Sequence, residues 1–191
     1  NKIINMDLIW QGNRLLVPGG GLHLSVTPLP PPIFPTVIVG TQTWMLYNAD
    51  VNIPNSYVYN DDENNRSLFG GLYLYADLNT VASNYSGFRI PTLTDYATMS
   101  AFLGGNSVAG TALKEVGITY WNSGGNNSSG WGARGGGIRT SGGGYVALKT
   151  DGYYLTTDTG NLIAIFSGES QIHSSWSYTS DQWFSVRLIK I

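Results

Sequence analysis

The stretch GFRIPTLTDY, residues 87–96, governs the organisation of this chain because it combines the end of a strand with the start of a helix. Pro91 disfavours helical geometry in the preceding residue, so Ile90 is expected to be extended. Thr92 can cap the first turn of a helix, and Asp95 stands three residues later in the capping-box position, where its charge also suits the helix dipole. The stretch therefore predicts a sharp strand-to-helix corner.

Two helices are predicted around this corner. The helix that starts at the corner carries Tyr96, Met99 and Leu103 on one face, and the glycine pair at 104–105 ends it. A second helix is predicted over 70–81 from the near-helical spacing of its apolar residues, although a glycine pair weakens its start.

Strands and loops account for the rest of the predicted head. Short apolar runs bounded by turn residues indicate strands over 36–39 and 42–46. Beyond residue 105 the chain is rich in glycine, serine and asparagine, which predicts long ordered loops. Residues 181–191 alternate polar and apolar side chains and predict a closing strand, with Ser185 and Arg187 on its polar face. The apolar members of that alternation are Phe184, Val186 and Leu188.

The composition narrows the classes of function. Charged residues make up only 12% of the chain, the net charge is -2, and no basic run occurs, so no nucleic-acid partner is expected. The chain has no cysteine, which excludes disulfides, thiolate metal sites and cysteine nucleophiles within it. No apolar run approaches the roughly 18 residues of a membrane-spanning helix.

The first 35 residues differ from the remainder. Residues 1–27 are too apolar for a free tail and too short for an independent core, so we interpret them as an anchor that is buried against another subunit. The alternative is a terminal strand packed on the main domain. Residues 28–35 are proline-rich and predict a semi-rigid extended spacer before the head, residues 36–191. The apolar anchor residues are Trp10, Leu15, Leu16 and Val17.

Five collinear blocks carry a resemblance to a known family. They are VGTQTWM (39–45), FGGLYLYADLN (69–79), GFRIPTLTDYATMSAFLGG (87–105), the glycine-rich block 108–139 and WFSVRLIKI (183–191). They resemble the Fibrobacter succinogenes major paralogous domain, which is widespread in Bacteroidetes-type bacteria. That family is similar to the formylglycine-generating enzymes, whose RLPT-x-x-E-W block matches residues 89–96.

Both likenesses imply an α+β, C-type-lectin-like fold: two helices, a small twisted antiparallel sheet and long ordered loops, preceded here by an extended N-terminal anchor. The oxidase chemistry of the formylglycine-generating enzymes uses cysteines with copper, so it is excluded for this chain. The resemblance implies that Arg89 and Thr92 hold the corner by hydrogen bonds to loop carbonyls and take no part in catalysis. The predicted structural residues are Trp44, Arg89, Thr92, Asp95, Trp121, Trp131 and Arg187.

The same fold occurs in the variable proteins of diversity-generating retroelements, which display variable residues on a ligand face near the C-terminus. The resemblance therefore implies a ligand face at about 153–183, where rigid aromatic and adaptable polar side chains are mixed. Ordinary surface hairpins are the alternative. Trp176 is the best candidate for an exposed stacking residue. The predicted ligand-binding residues are Tyr153, Tyr154, Asp158, Asn161, Glu169, Gln171, His173, Trp176 and Tyr178.

Metal and catalytic signals are few. Asp61, Asp62 and Glu63 are calcium candidates in an oxygen-rich loop, but their spacing fits no EF-hand and a solvated acidic loop is the favoured interpretation. No other cofactor is expected. His23 and His173 form no recognisable triad, and no carboxylate pair lies in a glycosidase motif, so no catalytic residue is predicted.

These features predict a non-enzymatic display protein whose head binds a host cell-surface glycan or protein. The N-terminus shows no signal-peptide core, which favours a phage virion fibre or decoration protein at the virion surface. Residues 1–27 would contact other virion proteins, in a homotrimer. Three alternatives stay open: a secreted or outer-surface bacterial protein of the same family, a purely structural virion protein, and a glycan-active enzyme.

Overall fold

The computed structural model describes residues 9–11, 14–16, 24–25 and 32–191. The chain divides into two units, Asn1–Ile33 and Phe34–Ile191, and each is described by itself. The first unit contains an antiparallel sheet of β1 (Ile9–Gln11), β2 (Arg14–Leu16) and β3 (Leu24–Ser25), in that order.

The predictions for the anchor and the spacer fall largely outside the described part of the chain. The structure gives the strands of the anchor but not the environment of its side chains, and it does not describe residues 28–31 of the spacer. The predicted anchor residues Trp10, Leu15 and Leu16 lie in these strands, and Val17 lies outside the described residues.

The second unit is an α+β structure with small antiparallel sheets, as the sequence predicts. Its helices are α1 (Asn64–Phe69), α2 (Leu78–Ser83), α3 (Leu93–Phe102) and α4 (Asn106–Leu113), with 3-10 turns at Tyr59–Asp61 and Tyr75–Asp77. Its strands are β4 (Thr36–Val39), β5 (Gln42–Met45), β6 (Phe88–Arg89), β7 (Gly136–Arg139), β8 (Tyr145–Leu148), β9 (Asp151–Leu155), β10 (Asn161–Phe166), β11 (Ile172–Ser177) and β12 (Ile189–Lys190). The sheet orders are β4-β5-β12-β6, β7-β8 and β9-β10-β11.

The strand-to-helix corner has the predicted capping box. Thr92 Oγ1 accepts from the Asp95 N–H at 3.1 Å, and the Asp95 carboxylate accepts from the Thr92 N–H at 2.7 Å. Arg89 donates to both oxygens of that carboxylate, at 2.7 and 2.8 Å, and to the adjacent Ile90 carbonyl. Arg89 therefore bonds one carbonyl, as expected, but its main partner is the Asp95 carboxylate. Chiefly because of the hydrogen bonds from Arg89, the pKa of Asp95 falls to about 2.

The predicted helix over 70–81 is wrong in its first half. Gly70 adopts a φ of 84° and ends α1, and the chain is then extended, so that Tyr73 pairs with Phe184. The helical part is confined to α2 and the 3-10 turn before it. The glycine pair at 70–71 therefore ends α1 and does not begin a second helix.

The head has four α-helices where two were predicted, because α1 and α4 carry weak sequence signals. Gly110 in α4 resembles a helix breaker, but at this residue α4 contacts the segment just before β11. A Cβ atom at this position would collide with the backbone of Gln171 and Ser170. The glycine therefore serves packing rather than termination.

The predicted alternation in the closing segment also fails. Only β12 is a strand, and Ser185 and Arg187 are as buried as the apolar residues between which they lie. Arg187 is fully buried and its guanidinium carbon lies 4.2 Å from the centre of the Trp131 ring. Its hydrogen bonds, between 2.7 and 3.2 Å, go to the carbonyls of Met45, Leu46, Trp131 and Gly132 and to the side-chain oxygen of Asn48.

The core lies on both faces of the β9-β10-β11 sheet. Ile163 and Ile165 point into one buried cluster, and Leu162 and Ala164 point into the other. This explains why β10 reads as a continuous apolar run. Trp44, Trp121 and Trp131 are fully buried in the first cluster. In the described part of the chain, no helix has the length and apolarity that crossing a membrane requires.

Candidate functional site

The candidate site lies at the end of the β9-β10-β11 sheet where the core no longer covers it. Phe166 ends β10 and pairs with Asp151 at the start of β9. Gly168, with a φ of 78°, turns the chain toward β11, in which Trp176 is 42% exposed. We call the following group of side chains the β11 surface: Asp151, Tyr153, Phe166, Glu169, Gln171, His173 and Trp176.

A β-bulge in β11 brings His173 and Trp176 to the same face of the sheet. His173 pairs with Ala164 and Trp176 pairs with Leu162, so two residues of β11 lie opposite a single residue of β10. One of these two, Ser175, takes a left-handed φ of 68°. Side chains three positions apart in an unbroken strand point to opposite faces, and the extra residue corrects this.

Three rings form an aromatic platform on this face. The centre of the Phe166 ring lies 4.7 Å from that of His173 and 5.1 Å from that of Trp176, and the last two are 5.6 Å apart. Trp176 meets both neighbours nearly edge to face, the arrangement that ring quadrupoles favour. The ring of Tyr153 follows at 6.0 Å from Phe166. The platform is therefore held in a defined orientation by contacts within the protein.

Hydrogen-bonding groups flank the platform. Glu169 accepts from Gln171 at 2.9 Å and lies 2.8 Å from Nε2 of His173, and these contacts lower the pKa of Glu169. Asp151 accepts from the Tyr153 hydroxyl at 2.9 Å, but burial outweighs this bond and raises the pKa of Asp151. The surface thus combines ring faces with oriented acceptors, and its two carboxyl groups differ in proton affinity.

A buried lysine supports the turn between β10 and β11. Lys114 follows α4 and is 2% exposed, and its Nζ donates to the carbonyls of Phe166 at 2.9 Å and Glu169 at 2.5 Å. The same ammonium lies 5.7 Å from the centre of the Trp121 ring. Burial lowers the pKa of Lys114. The lysine ties both ends of this turn to the core, so it positions the backbone that carries Glu169.

The structure brings together only part of the predicted ligand face. Tyr154 requires a correction: it is fully buried, its ring lies 5.1 Å from that of Trp131, and its hydroxyl donates to the Arg134 carbonyl. It is therefore a core residue. The predicted residues that the structure gathers at the β11 surface are Tyr153, Glu169, Gln171, His173 and Trp176.

The other predicted ligand residues lie elsewhere. Asp158 lies in the β9–β10 turn, at the far end of the hairpin, and Asn161 begins β10. Asp158 accepts from the Leu93 N–H at 2.7 Å and so helps to cap α3. Tyr178 lies just after β11, with its ring 5.2 Å from that of Phe184.

Two members of the β11 surface, Asp151 and Phe166, were not predicted. Phe166 stands at the end of an apolar run that reads as core, and nothing in the sequence shows that the sheet is uncovered there. The signal that was available is its period-two spacing from Leu162 and Ala164, which places all three on one face.

The three calcium candidates have separate protein partners. Asp61 accepts from the Tyr145 hydroxyl, Asp62 accepts from the backbone and side chain of Asn64, and Glu63 forms an ion pair with Arg66. Within the described residues, no group of three or more His, Cys, Asp or Glu side chains is arranged to hold a metal ion. Calcium binding stays the untested, less favoured alternative to a solvated acidic loop.

The family model of the Fibrobacter succinogenes major domain matches residues 37–190, and the chain therefore belongs to this family. No curated protein and no solved structure matched the chain.

Proposed function

We propose that this member of the Fibrobacter succinogenes major domain family is a display protein that binds a cell-surface glycan through the β11 surface. The observation that carries the proposal is the platform formed by the exposed ring of Trp176 and the half-buried rings of His173 and Phe166, flanked by fixed hydrogen-bonding groups. Sugar rings have an apolar face and a rim of hydroxyls. A ring platform beside oriented carboxylate and amide groups matches both.

The fold that we propose for the head is C-type-lectin-like. The small antiparallel sheets, the long ordered loops and the corner at Arg89, Thr92 and Asp95 support it. In this fold the loops after the corner would present the ligand face, which agrees with the position of the β11 surface on the C-terminal hairpins.

We further propose a virion location, with the N-terminal unit joining the head to other virion proteins and to two further copies of this chain. The division of the chain at 33–34, next to a proline-rich stretch, supports an anchor, a spacer and a head. A secreted or outer-surface bacterial location is the alternative. Light scattering on the whole chain tests the trimer, and a monomer at micromolar concentration contradicts it.

Binding is tested with the fluorescently labelled whole chain on intact bacterial cells. Saturable binding that Trp176→Ala abolishes, and that Phe102→Ala retains, is the expected result, because Phe102 is an exposed ring on another part of the head. Oxidation of the cell-surface sugars with periodate should remove binding, whereas protease treatment should not. Loss after protease treatment alone would assign a protein ligand instead. A parallel sample with EDTA tests for calcium.

A glycan-cleaving enzyme is a second candidate because the β11 surface holds two carboxyl groups whose pKa values are shifted in opposite directions. The two carboxyl groups would share the acid and base roles, and the raised pKa of Asp151 favours it as the acid. Release of reducing ends from a bound polysaccharide, lost in Asp151→Asn, supports this function. Binding without release supports the display function.

A further inference from the structure

Arg139, at the end of β7, differs from the other arginines of the head. Within residues 32–191, no carboxylate and no carbonyl accepts a hydrogen bond from its guanidinium, and its Nε is buried without a partner. Native proteins seldom leave such a donor unpaired, so this one requires an explanation. Carboxylate or carbonyl oxygens accept from each of the other arginines in this range: Arg66, Arg89, Arg134 and Arg187.

Two aromatic rings hold this guanidinium in place. Its central carbon lies 3.8 Å from the centre of the Tyr57 ring and 4.5 Å from that of Trp183, and the two rings meet nearly at right angles. Trp183 is itself fixed, because its Nε1 donates to the Asn55 carbonyl at 2.8 Å and its backbone forms two hydrogen bonds with that of Arg139. Ring faces attract a cation without accepting its hydrogen bonds in place of an oxygen. The guanidinium is therefore oriented in advance, which lowers the entropic cost of binding a ligand.

An opening adjoins the terminal nitrogen Nη2 of Arg139. Gly143, in the turn between β7 and β8, has a φ of 84°. A Cβ atom at this position would lie 3.3 Å from Nη2, and apart from its chain neighbours it would meet nothing but the guanidinium within 4 Å. Arg139 is partly exposed, so an atom of a ligand can occupy this space and contact Nη2 directly.

The groups around Arg139 indicate the kind of ligand that fits. The Tyr145 ring lies 5.9 Å from the guanidinium carbon, and its hydroxyl donates to Asp61. Burial, and next this hydrogen bond, raise the pKa of Tyr145 to about 12, so the hydroxyl is neutral at physiological pH. The exposed Ser141 adds a second hydroxyl in the turn. One cation next to hydroxyl groups suits a hydroxyl-rich ligand with a single negative charge, because Asp61 would repel a ligand with several.

We propose that Arg139 is the anion-binding residue of a second ligand site on the head, which takes the carboxylate or sulfate group of an acidic sugar. A charge-assisted hydrogen bond from a guanidinium to such an oxyanion is about twice as strong as one between neutral groups. The ligand oxygen takes the space beside Gly143, and the sugar hydroxyls bond Tyr145 and Ser141. This site shares no residue with the β11 surface, so the inference goes beyond the proposed function and does not depend on it.

The test is calorimetry of the whole chain with a galacturonate trisaccharide, its methyl ester, the neutral galactose trisaccharide and the sulfated galactose trisaccharide. We expect the free acid or the sulfated form to bind at least about tenfold more tightly than the two neutral forms, and this preference to shrink as salt is added. Preference for one of the two charged forms identifies the oxyanion as carboxylate or sulfate. A peptide of alternating serine and aspartate tests for a protein ligand.

The variants assign the preference to one side chain. Arg139→Gln should remove it, and Arg139→Lys, which keeps the charge but loses the planar fork, should reduce it. Arg89→Gln is the matched control because Arg89 is also partly exposed but is already paired with Asp95, so the preference should remain. Trp176→Ala should keep the preference as well, since Trp176 belongs to the β11 surface.

Four results overturn the proposal: no binding of either charged form, equal binding of charged and neutral forms, a preference that survives Arg139→Gln, and a preference that Trp176→Ala removes. Tighter binding of the acidic peptide than of the charged sugars overturns it too. Thermal unfolding checks the fold of each variant. If Arg139→Gln does not fold, the nuclear magnetic resonance signal of the Arg139 Nε–H group in the unaltered chain decides: a saturable shift on addition of the acid supports the site, and an unchanged signal overturns it.

Discussion

Replacing Arg187 with methionine tests how the closing segment holds the head together. The side chain is fully buried, and within residues 32–191 no carboxylate lies at ion-pair distance from it. Its partners are neutral carbonyl and amide oxygens, and burial lowers the pKa of Arg187 to about 10, so the guanidinium stays charged at neutral pH. One buried cation thereby joins the segments around residues 45–48, 131–132 and 187.

The magnitude follows from the groups that lose their donor. Each buried oxygen left without a partner costs about 1–3 kcal/mol, and Arg187 serves four buried oxygens and the partly buried carbonyl of Leu46. Removal of the buried cation relieves a desolvation penalty of several kcal/mol, which offsets part of this loss. The expected net loss is about 3–6 kcal/mol, a large part of the roughly 5–15 kcal/mol by which a domain is stable.

The assay is urea unfolding of the whole chain, followed by near-UV circular dichroism. Arg89→Met is the matched control because Arg89 is 42% exposed, so solvent screens its pair with the 14% exposed Asp95 and limits the contribution of that pair to about 1 kcal/mol. A loss below about 1 kcal/mol for Arg187→Met, with an unchanged denaturant slope, would refute the argument that these oxygens depend on the guanidinium.

Three further predictions concern single residues. Because the pKa of Asp95 is lowered in the folded state, the ionised carboxylate stabilises the fold at pH values above its unfolded pKa of 3.8. This stabilisation, about 1 kcal/mol after solvent screening, is lost as the pH falls toward about 2. Asp95→Asn should therefore lessen the drop in urea midpoint over that range, and an unchanged drop contradicts the assignment. Lys114→Met should cost about 2–3 kcal/mol and speed hydrogen exchange in the β10–β11 turn, whereas the partly exposed Lys149→Met should cost little. Ala147 has a φ of 67°, so Ala147→Gly should not destabilise the head, whereas Ala147→Val should cost more than about 1 kcal/mol and lower the melting temperature.

Local signals in the sequence were sufficient for the corner of the fold. Thr92 and Asp95 satisfy each other within one helical turn, so their role follows from spacing alone. Gly110 and Arg187 show the opposite case. Their roles depend on segments more than 50 residues away, with which neither shares a sequence pattern. A glycine that permits close packing and one that ends a helix look alike until the partner segment is known.

The candidate site was predictable only in part for the same reason. Trp176 and His173 stand out as an aromatic and a polar residue on a C-terminal hairpin, but strict alternation assigns them to opposite faces. Tyr153 and Tyr154 show that adjacent tyrosines of one strand can have opposite roles, one at the surface and one in the core. Which of the two tyrosines is buried depends on whether other elements pack on that face of the sheet, and residue type alone does not show this.

The bulge in β11 has a consequence for how this hairpin can evolve. A deletion of Ser175 would remove the left-handed residue and leave a regular ladder in which His173 and the tryptophan still lie opposite Ala164 and Leu162, and therefore on the same face. Relatives with one residue fewer at this point can keep the same platform. The strand can thus vary in length by one residue over generations without a change in the side chains that it displays.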